Sequence, residues 1–210
     1  MKKLTFAMCV LLAGSPWAYA ETATTAAATG DVEQGKAKSA VCASCHGMDG
    51  NTPIAPIYPK IAGQHSKYMA NQLAKFKDGS RNEPTMASQA MGLSDQDMLD
   101  LGAYYASLPG SEGTASETSI EAGQKLYLGG NTMTGVSACA ACHGPRGSGN
   151  PAAAYPSISG QSAGYTLQQL KNFKMKTRGA DANATIMNDI AARMTDEEMQ
   201  TIADYVAGLH

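Results

Sequence analysis

Basic residues are not in excess in this chain, long apolar runs are nearly absent, and histidine and cysteine are scarce. Lysine and arginine number 16 against 18 aspartates and glutamates. Without Lys2 and Lys3, which belong to a leader described next, the balance is 14 to 18, a net charge of −4. A surface of that sign does not attract a polyphosphate backbone, which excludes nucleic acid as a partner. The apolar stretch Leu4 to Ala13 is too short to cross a bilayer, and no later segment is apolar enough to do so. Four histidines (His46, His65, His143 and His210) and five cysteines leave few ways to build a metal centre.

The first residues read as an export signal. Lys2 and Lys3 precede the apolar stretch, and Ala18-Tyr19-Ala20 supplies small residues for cleavage. The pattern predicts a signal peptide over 1–20, removed after Ala20, and a periplasmic location. Cys9 lies inside the apolar stretch rather than at its end, which weakens a lipoprotein reading; a retained anchor is the alternative, with loose membrane association. Residues 21–30 are rich in Thr and Ala without periodicity and read as a mobile leader.

The remaining four cysteines fall in two copies of one pattern, Cys42-Ala-Ser-Cys45-His46 and Cys139-Ala-Ala-Cys142-His143. Two thiols three positions apart can form thioethers to both vinyl groups of one haem, and the next histidine reaches the iron from the same turn. Other readings fit less well. Paired Cys-x-x-Cys zinc units stand within some twenty residues of each other, whereas these stand 97 apart. A thioredoxin-like pair wants a preceding strand and a βαβ context, and the flanks here are helical or glycine-rich. Disulfides would leave both histidines unexplained.

The flanks repeat as well. Tyr58-Pro59-Lys60-Ile61-Ala62-Gly63-Gln64 matches Tyr155-Pro156-Ser157-Ile158-Ser159-Gly160-Gln161 at an offset of 97, as do Tyr68 with Tyr165 and Phe76 with Phe173. Beyond Phe173 an offset of 101 aligns Met86 with Met187, Ser94-Asp95 with Thr195-Asp196 and Leu108 with Leu209. The repeat predicts two domains, 31–110 and 120–210, joined by a polar linker over 111–119. Helices are expected near Val32–Ala40, over Ser66–Lys77, and from an N-cap at Ser94, where Met98, Leu101, Tyr105 and Leu108 form a stripe. Ser80 to Leu93 lacks periodicity and is expected to be a loop. Gly35 to Cys42 spans 7 positions but Gly123 to Cys139 spans 16, and this insertion is also expected in a loop.

Each iron requires a second axial group. His65 faces Ser162 in the repeat and His210 is the last residue, so histidine cannot serve both units; methionine, a soft thioether, is left. Met86 and Met187 are the expected ligands with His46 and His143, and Met91 and Met194 are their rivals. Pro59 and Pro156, each 13 residues after its histidine, are candidates to accept the other ring N–H through their carbonyls. Tyr58, Tyr155, Gln64 and Gln161 are candidates to hydrogen-bond haem carboxylates.

Each unit resembles a class I cytochrome c domain, and the tandem resembles the two-haem cytochrome c4 family. The likeness rests on both attachment sites, the two Tyr-Pro-x-Ile-x-Gly-Gln segments and both methionines before a Ser/Thr-Asp cap. It implies an all-α fold of two domains, each wrapped around one covalent haem c, and electron transport in the periplasm. Cys42, Cys45, Cys139 and Cys142 would hold the haems; His46, Met86, His143 and Met187 would ligate the irons. Expected partners are redox proteins: a respiratory reductase, a terminal oxidase or another periplasmic carrier. Two filled irons leave no vacancy for substrate, so a non-enzymatic carrier is expected rather than a two-haem peroxidase. The alternative is a subunit docked on a dehydrogenase, such as a sulfide-oxidising flavoenzyme.

Overall fold

The computed structural model describes residues 29–179 and 181–210. The expected signal peptide and most of the expected leader lie outside the described residues. Among the described residues ten helices succeed one another, α1 (Val32–Lys38), α2 (Ala40–His46), α3 (Ser66–Lys77), α4 (Pro84–Ala90) and α5 (Asp95–Ser107), then α6 (Glu117–Gly129), α7 (Ala140–His143), α8 (Ala163–Lys174), α9 (Ala182–Arg193) and α10 (Asp196–Ala207). The second five repeat the first. Among the described residues, β-structure is confined to two isolated bridges, Asn131–Val136 and Asn150–Tyr155.

The sequence marks the helix starts chemically. The Asp31 carboxylate accepts from the backbone of Glu33 and Gln34 at 2.8 and 3.0 Å and opens α1. Ser94 and Asp97 form a reciprocal capping box at α5, and Thr195 and Glu198 form another at α10. Both closing helices bury their apolar faces: Met98, Leu101 and Tyr105 on α5, and Met199, Ile202 and Val206 on α10. Each then receives the opening helix of its own unit, α1 on α5 and α6 on α10. Glycine permits the crossing. A Cβ at Gly35 would stand 2.0 Å from the Asp100 carbonyl oxygen, and one at Gly123 would stand 2.4 Å from Tyr205 Cβ.

Four expectations change. Ser80 to Leu93 is not a loop throughout, because α4 occupies its centre. Glu83 caps it, Pro84 takes the first helical position, where a missing N–H costs nothing, and only Met86, Ala87 and Ala90 are shielded from solvent, too few for a visible period. Met86 therefore lies on a helix, and so does Met187, on α9. The growth of the offset from 97 to 101 means four added residues before Met187, expected in that loop, and most of them enter α9, which starts at Ala182 behind the Asp181 cap. The insertion before Cys139 also falls partly in a helix: α6 runs six residues past Gly123, whereas α1 runs three past Gly35. Finally, the segment expected as linker enters α6 at Glu117, with Ser116 anchored on the Asp204 carboxylate through its N–H and hydroxyl at 2.9 and 2.6 Å.

Candidate functional site

In the first unit, α2 carries Cys42, Cys45 and His46 on little more than one turn. The Pro-rich chain after it folds back so that Pro59 O lies 2.9 Å from His46 Nδ1. In the second unit, Pro156 O lies 3.0 Å from His143 Nδ1. A carbonyl only accepts, so the ring proton is on Nδ1 and the lone pair on Nε2 is available to a metal. Burial lowers the basicity of both rings, the Arg178 charge adding to it at His143 while the proline carbonyls oppose it. Both imidazoles are thus neutral donors near pH 7.

Sulfur groups in each unit pack against a single apolar cluster. Cys42 and Met86 pack against one apolar cluster, built on Ile61, Leu73, Met98, Leu101 and Tyr105. Cys139 and Met187 pack against the other, which includes Leu126, Tyr127, Leu170, Ile202 and Val206. Burial pushes the Cys42 thiol up, and the Cys139 thiol up to about 11. None of Cys42, Cys45, Cys139 and Cys142 is in a disulfide. Among the described residues no group of three or more His, Cys, Asp or Glu is assembled into a metal site. Two thiols, a neutral imidazole and a thioether around an apolar lining form a donor set that suits a covalently attached haem.

Of the two rival methionines, one shares its competitor's cluster and the other does not. Met91 is 71% exposed at the end of α4, whereas Met194 is buried in the second core at the end of α9. The Tyr58 ring stands edge-on to the His46 imidazole, with centroids 6.3 Å apart. Gln64 and Gln161 are not placed as expected: both are buried and committed to the contact between the units. Gln64 accepts from Ser157 N–H at 3.0 Å and donates to Ser157 C=O at 2.8 Å. Gln161 treats Lys60 the same way, at 2.9 and 2.8 Å. Two features escaped the sequence reading. Tyr127 is fully buried and donates to Gly144 C=O at 2.6 Å, next to His143. Arg81 and Arg178 meet across the units; they too stand 97 apart, a match hidden by changing the offset at Phe173.

A family model for cytochrome c matches residues 32–109 and 120–210. Cytochrome c4 of Pseudomonas aeruginosa is 42% identical over 183 residues, covering 87% of this chain and 90% of that protein. The chain belongs to the cytochrome c4 family. The crystal structure of reduced recombinant cytochrome c4 from Pseudomonas stutzeri is similar to it with a TM-score of 0.83 and 40% identity, across 87% of this chain and all of that one. A thiosulfate dehydrogenase electron acceptor from Stutzerimonas stutzeri is 37% identical, over 80% of this chain and 78% of that protein. The protein is therefore an all-α, two-domain, dihaem electron-transfer cytochrome with two covalently bound haem c groups at the Cys-x-x-Cys pairs 42/45 and 139/142.

Proposed function

We propose that this protein is an exported carrier that moves electrons one at a time between respiratory complexes in the periplasm, with domains over 31–110 and 120–210. Its axial ligands are His46 with Met86 and His143 with Met187, and the haems supply the iron couple. The observation that carries this reading is that each unit repeats both a Pro-oriented imidazole and a thiol and thioether packed on one apolar cluster. The chain's own residues orient and insulate: Pro59 and Pro156 fix the rings, and the core side chains exclude water from the thioethers. With both axial positions occupied, the remaining chemistry is outer-sphere transfer through the protein surface. A mass spectrum of the exported protein tests attachment, and stopped-flow reduction by a respiratory reductase followed by oxidation by a terminal oxidase tests the role. Slow exchange with both partners would defeat it.

A second reading is favoured by the likeness to the thiosulfate dehydrogenase electron acceptor. In it the chain takes electrons from a dehydrogenase acting on reduced sulfur compounds, as a docked subunit. Co-purification with such an enzyme, and faster reduction by it than by the respiratory reductase, distinguish this from a free shuttle.

A further inference from the structure

Contacts between the units are of two kinds. Arg81 donates to Tyr165 OH at 3.0 Å and to Gln169 Oε1 at 3.1 Å in the second unit, and Arg178 donates back to Tyr68 OH in the first. Lys75 makes a contact that its copy does not return. From α3 of the first unit its Nζ reaches Asp181 Oδ2 at 2.6 Å. At the matching place in the second unit, 97 positions on, stands Asn172, whose Oδ1 accepts from Gln168 within α8. The Lys75 charge also acts on Asp78 at the end of its own helix, but among the described residues its ion pair is with Asp181.

Asp181 is the N-cap of α9, the helix that carries Met187. Its two oxygens have separate partners: Oδ1 accepts from the N–H groups of Asn183 and Ala184 at 3.1 and 3.4 Å, and Oδ2 takes the ammonium. One carboxylate therefore joins the first turn of the second unit's methionine helix to the first unit. Burial acts to raise the Asp181 pKa, but the hydrogen bond and charge of Lys75, with those N–H groups, outweigh it and hold the carboxyl below its usual range. The lysine has a fixed base, since Leu73 and Phe76 beside it on α3 are buried. On the other side, Asn183 stands one turn ahead of Met187 and donates from Nδ2 to Ala153 C=O at 3.1 Å.

The first unit starts its methionine helix differently. Met86 is the third residue of α4, which Glu83 caps from within the same unit, whereas Met187 is the sixth residue of α9. The longer start carries the cap of α9 out to the first unit, where Lys75 meets it. We infer that Lys75 is a positioning residue for the second unit's methionine: by clamping the Asp181 cap it holds α9, and with it the Met187 thioether, in place. The grip on one sulfur ligand is then set from the neighbouring unit, and the grip on the other is not.

The inference rests on Met187 being the second iron's ligand, so Met86→Ala and Met187→Ala are measured alongside and assign each kinetic phase to its haem. The test follows, in the oxidised holoprotein, the rate at which added imidazole displaces methionine at each haem in wild type, Lys75→Gln, Asp181→Asn and Lys75→Arg. Asparagine caps a helix about as well as aspartate, so Asp181→Asn removes the ion pair and keeps the cap. Both neutral variants should quicken the Met187 phase roughly two- to fivefold, as the loss of a partly exposed pair allows, and leave the Met86 phase unchanged; Lys75→Arg should behave as wild type. The two neutral variants change the local charge in opposite directions, so a field effect alone would move the rate in opposite directions, whereas a lost clamp moves it the same way. An unchanged Met187 phase in both neutral variants overturns the inference, and so do changes of opposite sign, quickening of both phases alike, or quickening in one neutral variant only. If Met187→Ala keeps the wild-type spectrum and exchange, the ligand reading itself falls and takes this inference with it.

Discussion

At the scale of single residues, the sites depend on what each side chain is denied. Pro59 and Pro156 take one nitrogen of each ring and so leave the other for iron. If Met86 and Met187 complete the irons, Met86→Ala and Met187→Ala each leave one haem high-spin with a lower potential, as visible spectra and redox titration will show. Met91→Ala should alter neither, since that side chain faces solvent. Cysteines, histidines and the oriented prolines were legible because covalent attachment and ligand orientation demand fixed spacings. The arginine pair was not, because nothing local marks a guanidinium whose partners come from the other half of the chain.

At the scale of helices, closing helix against opening helix sets each crevice. Gly35→Ala drives a methyl group into the Asp100 carbonyl and against Tyr104 Cβ, so α1 and α5 must spread. A loss of about 2–4 kcal/mol is expected, read as a lowered Tm of the holoprotein. Ser94→Ala removes the α5 cap and should cost about 1 kcal/mol. The Asp97 partner in that box is held down to about 2 by the Ser94 N–H, the Ser94 hydroxyl and Lys38. Because this folded value lies below the unfolded one, its contribution is full above roughly pH 4 and disappears as pH falls through about 2. Acid titration followed by circular dichroism should show wild type and Ser94→Ala converging in that interval. Both caps and the buried stripe were readable in the sequence; α4 was not, since a seven-residue helix whose shielded residues are one methionine and two alanines has no period to detect.

At the scale of the whole molecule, two glutamines and two arginines hold the units together by contacts that each copy returns, beside unmatched ones such as Lys75 with Asp181. Replacing Gln64 and Gln161 together with alanine strips partners from the half-buried backbone of Ser157 and Lys60, at about 1 kcal/mol for each group left unpaired. Small-angle scattering should show a broader particle, and proteolysis should reach the 111–116 stretch faster. The duplication announced two domains, yet not how they face, because a repeat carries no record of the axis relating its copies.

That axis has a consequence for origin and affinity. Contacts in which each half gives what it receives are those of a symmetric dimer made from identical subunits. Joined through a connection of a few residues, the halves meet at an effective concentration on the order of millimolar. The fusion therefore asks the seam for selectivity rather than strength, and a seam of glutamines, tyrosines and arginines can remain closed without an oily surface that would tempt other proteins.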